Sequence, residues 1–113
     1  MEGMYFRNGE FPLVPGGEGK PSRRLIAYGG GLLLAEMEFE VGSMSSVHSH
    51  EEEQLTCCLT GAFETEVAGV KGRLGPGDSF YSGPGVPHGA TCLARGILLH
   101  SFTPQREEYK KGS

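Results

Sequence analysis

The 113-residue chain holds four histidines, and two of them, His48 and His50, are separated by a single serine. Side chains on a β-strand repeat every two residues, so both imidazoles would project from one face, with Cα atoms roughly 6.5 Å apart. That spacing brings two ring nitrogens within reach of one ion at bonds of roughly 2.0–2.1 Å. Gln54 follows four residues after His50, beyond the acidic run Glu51-Glu52-Glu53, and offers an amide oxygen from the next strand. A third imidazole, His88, comes after the stretch Gly83-Pro84-Gly85-Val86-Pro87. Three neutral nitrogens and one oxygen, with positions left open, suit a divalent first-row ion: Zn, Ni, Mn, Fe, Co or Cu. An isolated His-x-His is satisfied as well by ordinary surface or core histidines, so the residues around it decide.

The elements that must hold these groups are short. Gly contributes 19 positions and Pro 7, together about 23% of the chain against roughly 12% in average usage. They cut the sequence into pieces of about four to ten residues with period-2 character, which reads as an all-β sandwich or barrel. The expected strands are 23–28, 32–41, 45–48, 54–60, 62–68, 72–74, 79–82, 88–92 and 96–103. Alternation is plain in Met37-Glu38-Phe39-Glu40-Val41 and Phe63-Glu64-Thr65-Glu66-Val67. Only 105–111 reads as a short helix. One domain is expected, with an irregular entry over 1–22, a barrel over 23–106 and a polar tail over 107–113.

Composition excludes several classes of function. A net charge of -4 and a pI near 5.5 leave no footprint for nucleic acid. No apolar run is longer than Leu32-Leu33-Leu34-Ala35, far short of the roughly 20 residues of a membrane span. The start carries acid early and lacks an apolar h-region, so no secretory signal is expected. The three cysteines, Cys57, Cys58 and Cys92, are odd in number and two are adjacent, which argues against a disulfide framework and for a reducing cytoplasm. They are expected to pack as small apolar residues.

Gly42, five residues, His48-Ser49-His50, three residues, Gln54, six residues and Gly61 together resemble the first cupin motif, with Gln in the place of its Glu. Gly77 to His88 resembles the second cupin motif, departing from it at Gly83, which stands at a Pro, and at Cys92, which stands at the final Asn. All three histidine positions match. The resemblance implies a small jelly-roll barrel with its metal inside. It also implies a homodimer in which an N-terminal strand crosses to the partner, for which Tyr5-Phe6 and Leu32-Leu33-Leu34 are candidate contacts. Because Gln54 does not ionise, a divalent ion there would keep its full charge. That tilts the chemistry toward Lewis-acid work and away from iron oxygen chemistry.

A finer similarity lies at both ends of this region. The run from His48 to Thr56, and Leu98-Leu99-His100-Ser101-Phe102-Thr103-Pro104-Gln105-Arg106-Glu107-Glu108-Tyr109, resemble segments of pectin-degradation-type cupins, which linearise unsaturated uronates. The relatives' Phe falls on Phe102 and their Arg on Arg106, whereas their Asp falls on His100. Leu98, His100 and Phe102 share one strand face. If Phe102 packs inside, His100 faces the same cavity and takes the place of the proton-transfer group, and Arg106 would hold a substrate carboxylate in two-pronged fashion. Of the neighbours Phe80 and Tyr81, one faces in; Tyr81 is taken as the pocket residue. Glu51-Glu52-Glu53 is expected to be a solvated turn, and near the entrance it would slow an anionic substrate. With the carboxylate at position 100 missing as well, little uronate activity is expected.

The expected function is therefore a metal-binding cupin, leaning toward a Lewis-acid enzyme acting on a small oxygenated ligand such as a sugar acid or keto acid. Its alternatives are a metal-dependent dioxygenase and a non-catalytic module that binds or senses a small molecule or metal. Fold alone does not choose among them.

Overall fold

The computed structural model describes residues 3–110. Among the described residues seven strands form the domain: β1 Ser22–Gly29, β2 Leu32–Phe39, β3 Met44–His48, β4 Glu53–Val67, β5 Val70–Leu74, β6 Ser79–Ser82 and β7 His88–Thr103. A single 3-10 turn, Glu107–Lys110, follows; Lys111, the end of the expected helix, lies outside the described residues.

The long strands β4 and β7 pair antiparallel along their whole lengths, from Glu53↔Thr103 to Val67↔His88. Their halves have different neighbours. The C-terminal half of β7 carries β2, which carries β1, while the N-terminal half of β4 carries β6. At the other end, β7 carries β3 and β4 carries β5. Two layers thus share one continuous ladder, as a jelly-roll barrel requires.

The sequence reading breaks each long strand in two, at 61, where glycine ordinarily weakens a strand, and at 93–95. The structure runs both straight through. A Cβ on Gly61, whose φ is +85°, would lie 2.5 Å from the carbonyl oxygens of Ala94 and Arg95, and one on Gly96 would fall on the backbone of Thr60. The two glycines let the strands touch backbone to backbone and bend. Register slips at this point, so that β4 advances five residues from Cys58 to Phe63 while β7 advances six from Leu98 to Cys92. The slip moves the inward face of β4 from even to odd positions, from Gln54, Thr56 and Cys58 to Phe63 and Thr65.

The core fills the space between the layers. Phe39, Cys58, Phe63, Leu74, Ala90, Cys92 and Leu98 form one cluster, with the Phe39 and Phe63 rings edge to face at 5.1 Å. Leu25, Leu33, Ala35, Phe102 and Tyr109 form the other. The last of these, at the end of the segment similar to the pectin-degradation-type cupins and within the expected polar tail, packs edge to face on Phe102 at 5.1 Å. All three thiols are free; Cys58 and Cys92 are buried, and burial raises the pKa of both above the ordinary thiol value, so they pack as small protonated groups. In the entry segment Phe6 and Phe11 lie against Tyr28 of the chain's own β1, and Val14 bridges Arg23. No helix among the described residues is long and apolar enough to cross a membrane.

Candidate metal centre

His48 ends β3 and pairs directly with His88, which begins β7, so the barrel's ladder sets these two rings side by side. His50 comes from the turn after β3. The three ring centroids are 4.6–5.5 Å apart, and a nitrogen from each lies within 4.8 Å of the others.

The hydrogen bonds around the rings decide which nitrogens face one another. His48 Nδ1 lies 2.8 Å from the Ser46 carbonyl, His50 Nδ1 2.8 Å from the Glu52 carbonyl, and His88 Nδ1 2.9 Å from the Val86 carbonyl. Carbonyl oxygens only accept, so each Nδ1 carries the proton and each Nε2 presents a lone pair. Burial lowers the pKa of both His50 and His88, with Arg106 adding to the effect at each, which keeps these rings neutral. His88 Nε2 is buried with no hydrogen-bond partner among the described residues.

Gln54, on β4, completes the set. Its Oε1 lies 3.0 Å from His50 Nε2. Both atoms are acceptors in these tautomers, so the close approach calls for a proton or a cation between them. Two ligands at right angles on one ion, each about 2.1 Å out, are about 3.0 Å apart. The donor set therefore fits a divalent first-row ion, with His48, His50 and His88 supplying Nε2 and Gln54 supplying Oε1.

Behind this cluster lies a cavity of about 20 Å³, the space of about one water, walled by Met37, Phe39, Phe80 and Leu98 on its apolar side. His100 closes the polar side. It is 5% exposed, as expected from its place between Leu98 and Phe102 on β7, both of them at 1%. Its Nδ1 is 2.8 Å from Thr56 Oγ1 and 3.1 Å from Gln54 Nε2, and Gln54 Nε2 donates to Thr56 Oγ1 at 2.7 Å. Burial, helped by the neighbouring histidines and Arg106, pushes the His100 pKa down to about 3, so this ring too is neutral.

Phe102 lies at 5.7 Å from the His50 ring and 5.9 Å from the His100 ring, bracing both. Tyr81 does not belong to the cavity wall. It is 54% exposed and its hydroxyl donates to Glu53 on the outer face, while its neighbour Phe80 turns inward; the pleat admits only one of the pair. Arg106 is 12% exposed and lies over the rings of Phe102 and Tyr109 at 5.5 and 4.8 Å. Its guanidinium pairs with Glu108 and, at 3.8 Å, with Glu52. The expected solvated turn is solvated only in part, since Glu52 also lies 3.4 Å from His50 Nδ1.

Sequence reasoning missed Thr56, took Glu52 only as part of a solvated turn and left open which of Phe80 and Tyr81 faces in. For Thr56 the signal was present: it lies two residues after Gln54 on the same strand and so shares its inward face. Glu52 had none, because a turn residue's direction is not periodic.

A protein-family model described as "Cupin domain" matches residues 35–97, more than half of the chain. Among solved structures, an RmlC-like cupin from Shewanella frigidimarina superposes with a TM-score of 0.87 at 33% identity, over 95% of this chain and 96% of that one. KdgF from Halomonas sp. also superposes at 0.87, with 31% identity, over 95% of this chain and 98% of that one. Oxalate decarboxylase from Bacillus subtilis, 18% identical, shares the fold over 93% of this chain and 31% of its own, at a TM-score of 0.78; Mn(II) centres are described for that enzyme. A search of curated protein sequences finds no match. From a matched span that takes in His48, His50, Gln54 and His88, and from two whole-length relatives above 30% identity, the chain belongs to the cupin family.

Proposed function

We propose that this cupin is a metal-dependent, redox-neutral enzyme acting on a small sugar acid or keto acid, with His48, His50, His88 and Gln54 as the metal ligands. The observation that carries the reading is the grouping of the His48, His50 and His88 ring nitrogens within 4.8 Å of one another, with the Gln54 amide oxygen 3.0 Å from His50 Nε2 and no carboxylate in the set. A divalent ion held there keeps its full charge and supplies Lewis acidity toward a carbonyl or hydroxyl oxygen. The rest falls to the chain's own side chains. Arg106, packed over the rings of Phe102 and Tyr109, orients a substrate carboxylate by exchanging Glu52 or Glu108 for it. His100 faces the reacting oxygen, and the apolar wall of Met37, Phe39 and Leu98 keeps bulk water out.

The likeness to KdgF and to pectin-degradation-type cupins makes a 4,5-unsaturated uronate the first substrate to test. Glu52 is neutralised by Arg106, which weakens the electrostatic objection raised by the acidic turn. Metal-loaded protein should hasten loss of the uronate absorbance over buffer, and His48→Ala should abolish that loss. No acceleration by the wild type loaded with any first-row divalent ion ends the uronate reading.

A second reading, a module that binds or senses without turnover, is favoured by the engagement of Arg106 with two carboxylates and by the small cavity. It predicts tight ligand binding with no product. Oxygen uptake with a keto acid would instead mark a dioxygenase. A cytoplasmic homodimer remains part of the proposal; a sedimentation run at micromolar concentration showing only a 12.1 kDa species would remove the dimer.

A further inference from the structure

The position of one proton in the buried network determines what the cavity can recognise. Gln54 turns its Oε1 toward His50 Nε2, which leaves its amide hydrogens for the other side. There they face Thr56 Oγ1 at 2.7 Å and His100 Nδ1 at 3.1 Å. With its oxygen already accepting from Gln54, the Thr56 hydroxyl has one hydrogen to place, and His100 Nδ1 stands 2.8 Å away to take it. Two donors converge on Nδ1, so Nδ1 is bare and the ring's single proton is on Nε2. This is the opposite tautomer from that of the three histidines around the ion site, whose Nδ1 atoms donate to carbonyls.

His100 Nε2 is fully buried and has no hydrogen-bond partner among the described residues, while the ring lines the cavity beside His48, His88 and Gln54. A buried donor left unpaired is costly and rare in folded proteins, and the ring that carries this one lines the cavity. That space holds about one water-sized atom.

We propose that His100 is a fixed hydrogen-bond donor of the cavity, its Nε2–H held inward by the Gln54–Thr56 relay, and that the site thereby selects a ligand oxygen with a free lone pair, such as that of a carboxylate, an enolate or a keto group. A carboxylate in the same place would accept, and would select a hydroxyl. The ring acts on the ligand by donating this bond and does not serve as a base, because its only lone pair is already used at Nδ1. The choice of ligand rests on the proposed small-acid reading of the site; the assignment of the tautomer does not.

The test uses the zinc-loaded full chain labelled with ¹⁵N histidine. Long-range proton–nitrogen spectra should give His100 a bare Nδ1 and a protonated Nε2, against protonated Nδ1 for His48, His50 and His88. A protonated Nδ1 on His100 overturns the inference without any variant being made. Binding of sodium formate to the same protein reads the ligand half. A glutamine side chain places its amide N–H close to where imidazole Nε2–H lies, so His100→Gln should bind formate within about threefold of wild type. His100→Asp should bind it about tenfold or more weakly, since a second acceptor then faces the anion. Equal or tighter binding by the folded Asp variant, or no binding by the wild type, overturns the selectivity. If the tautomer and the formate pattern hold while no uronate is consumed, the proposed activity fails and this inference stands.

Discussion

Glu52 and Arg106 meet over the histidine cluster, with Glu52 Oε1 3.8 Å from Arg106 Nε and 3.4 Å from His50 Nδ1. One carboxylate therefore bridges a candidate metal ligand and the guanidinium proposed to hold a ligand carboxylate. It steadies the His50 ring as an outer partner of a metal ligand does, and it competes with any incoming carboxylate for Arg106.

Removing that competitor has a defined sign. In Glu52→Gln the guanidinium loses one of its two carboxylate partners, so formate or acetate should bind the metal-loaded protein severalfold more tightly, as measured by titration calorimetry. The variant should lose only about 1 kcal/mol of stability, because the pair is partly open to solvent.

Metal binding should be visible as stability. An ion that binds only the folded chain, at a hundredfold excess over its Kd, adds about 2.7 kcal/mol, which raises Tm by about 10 °C in a domain of this size. Chelator should reverse the shift, and His88→Ala should remove it. A Tm unmoved by Zn, Ni, Mn, Fe, Co and Cu would argue against the four-residue site.

The metal-free protein should weaken in acid in a way that His100 explains. Its folded-state pKa lies at about 3, below the ordinary 6.5, so between these values the unfolded chain binds the extra proton and the folded chain does not. The stability contributed by the neutral buried ring is complete above pH 6.5 and is lost as pH falls toward 3. The lowered pKa values of His50 and His88 act in the same direction. His100→Gln should flatten the slope between pH 7 and 5 by up to about 1.4 kcal/mol per pH unit. Identical slopes for variant and wild type would contradict the buried, neutral assignment.

The glycine crossing is expected to be intolerant. Gly96→Ala would put a methyl group onto the Thr60 backbone, and Gly61→Ala would add a strained positive φ to a clash with two carbonyls. Each should cost about 3 kcal/mol or more in denaturant unfolding. Gly69→Ala, in the two-residue turn between β4 and β5, has open space and should cost about 1 kcal/mol, through its φ of +79° alone.

Much of this was legible before any coordinates. Period-2 alternation puts Leu98, His100 and Phe102 on one strand face, and spacing together with the resemblance to the cupin motifs groups His48, His50, Gln54 and His88. Where the reading failed, information was missing from the local pattern. At Gly61 and Gly96 the same residue type that ends strands elsewhere lets two strands pass in contact, and only the partner strand distinguishes the cases. Nothing in Phe80-Tyr81 says which ring turns inward until the register with β4 is fixed. The burial of Tyr109 depends on a 3-10 turn folding back over Phe102, a long-range event that four polar-flanked residues do not announce.

The shared β4–β7 ladder also bears on when an ion can be acquired. His48 and His88 stand in one layer, and Gln54 and His100 in the other, joined through the crossing at Gly61 and Gly96. A nascent chain that has emerged only as far as β6 carries His48, His50 and Gln54 but has no strand to bring a third ring against them. An ion held by this set would therefore be gripped late in biosynthesis, after β7 has zipped onto β4 from end to end. By the same reasoning, the rate at which a chelator strips the metal from the mature protein reports how often that zipper opens.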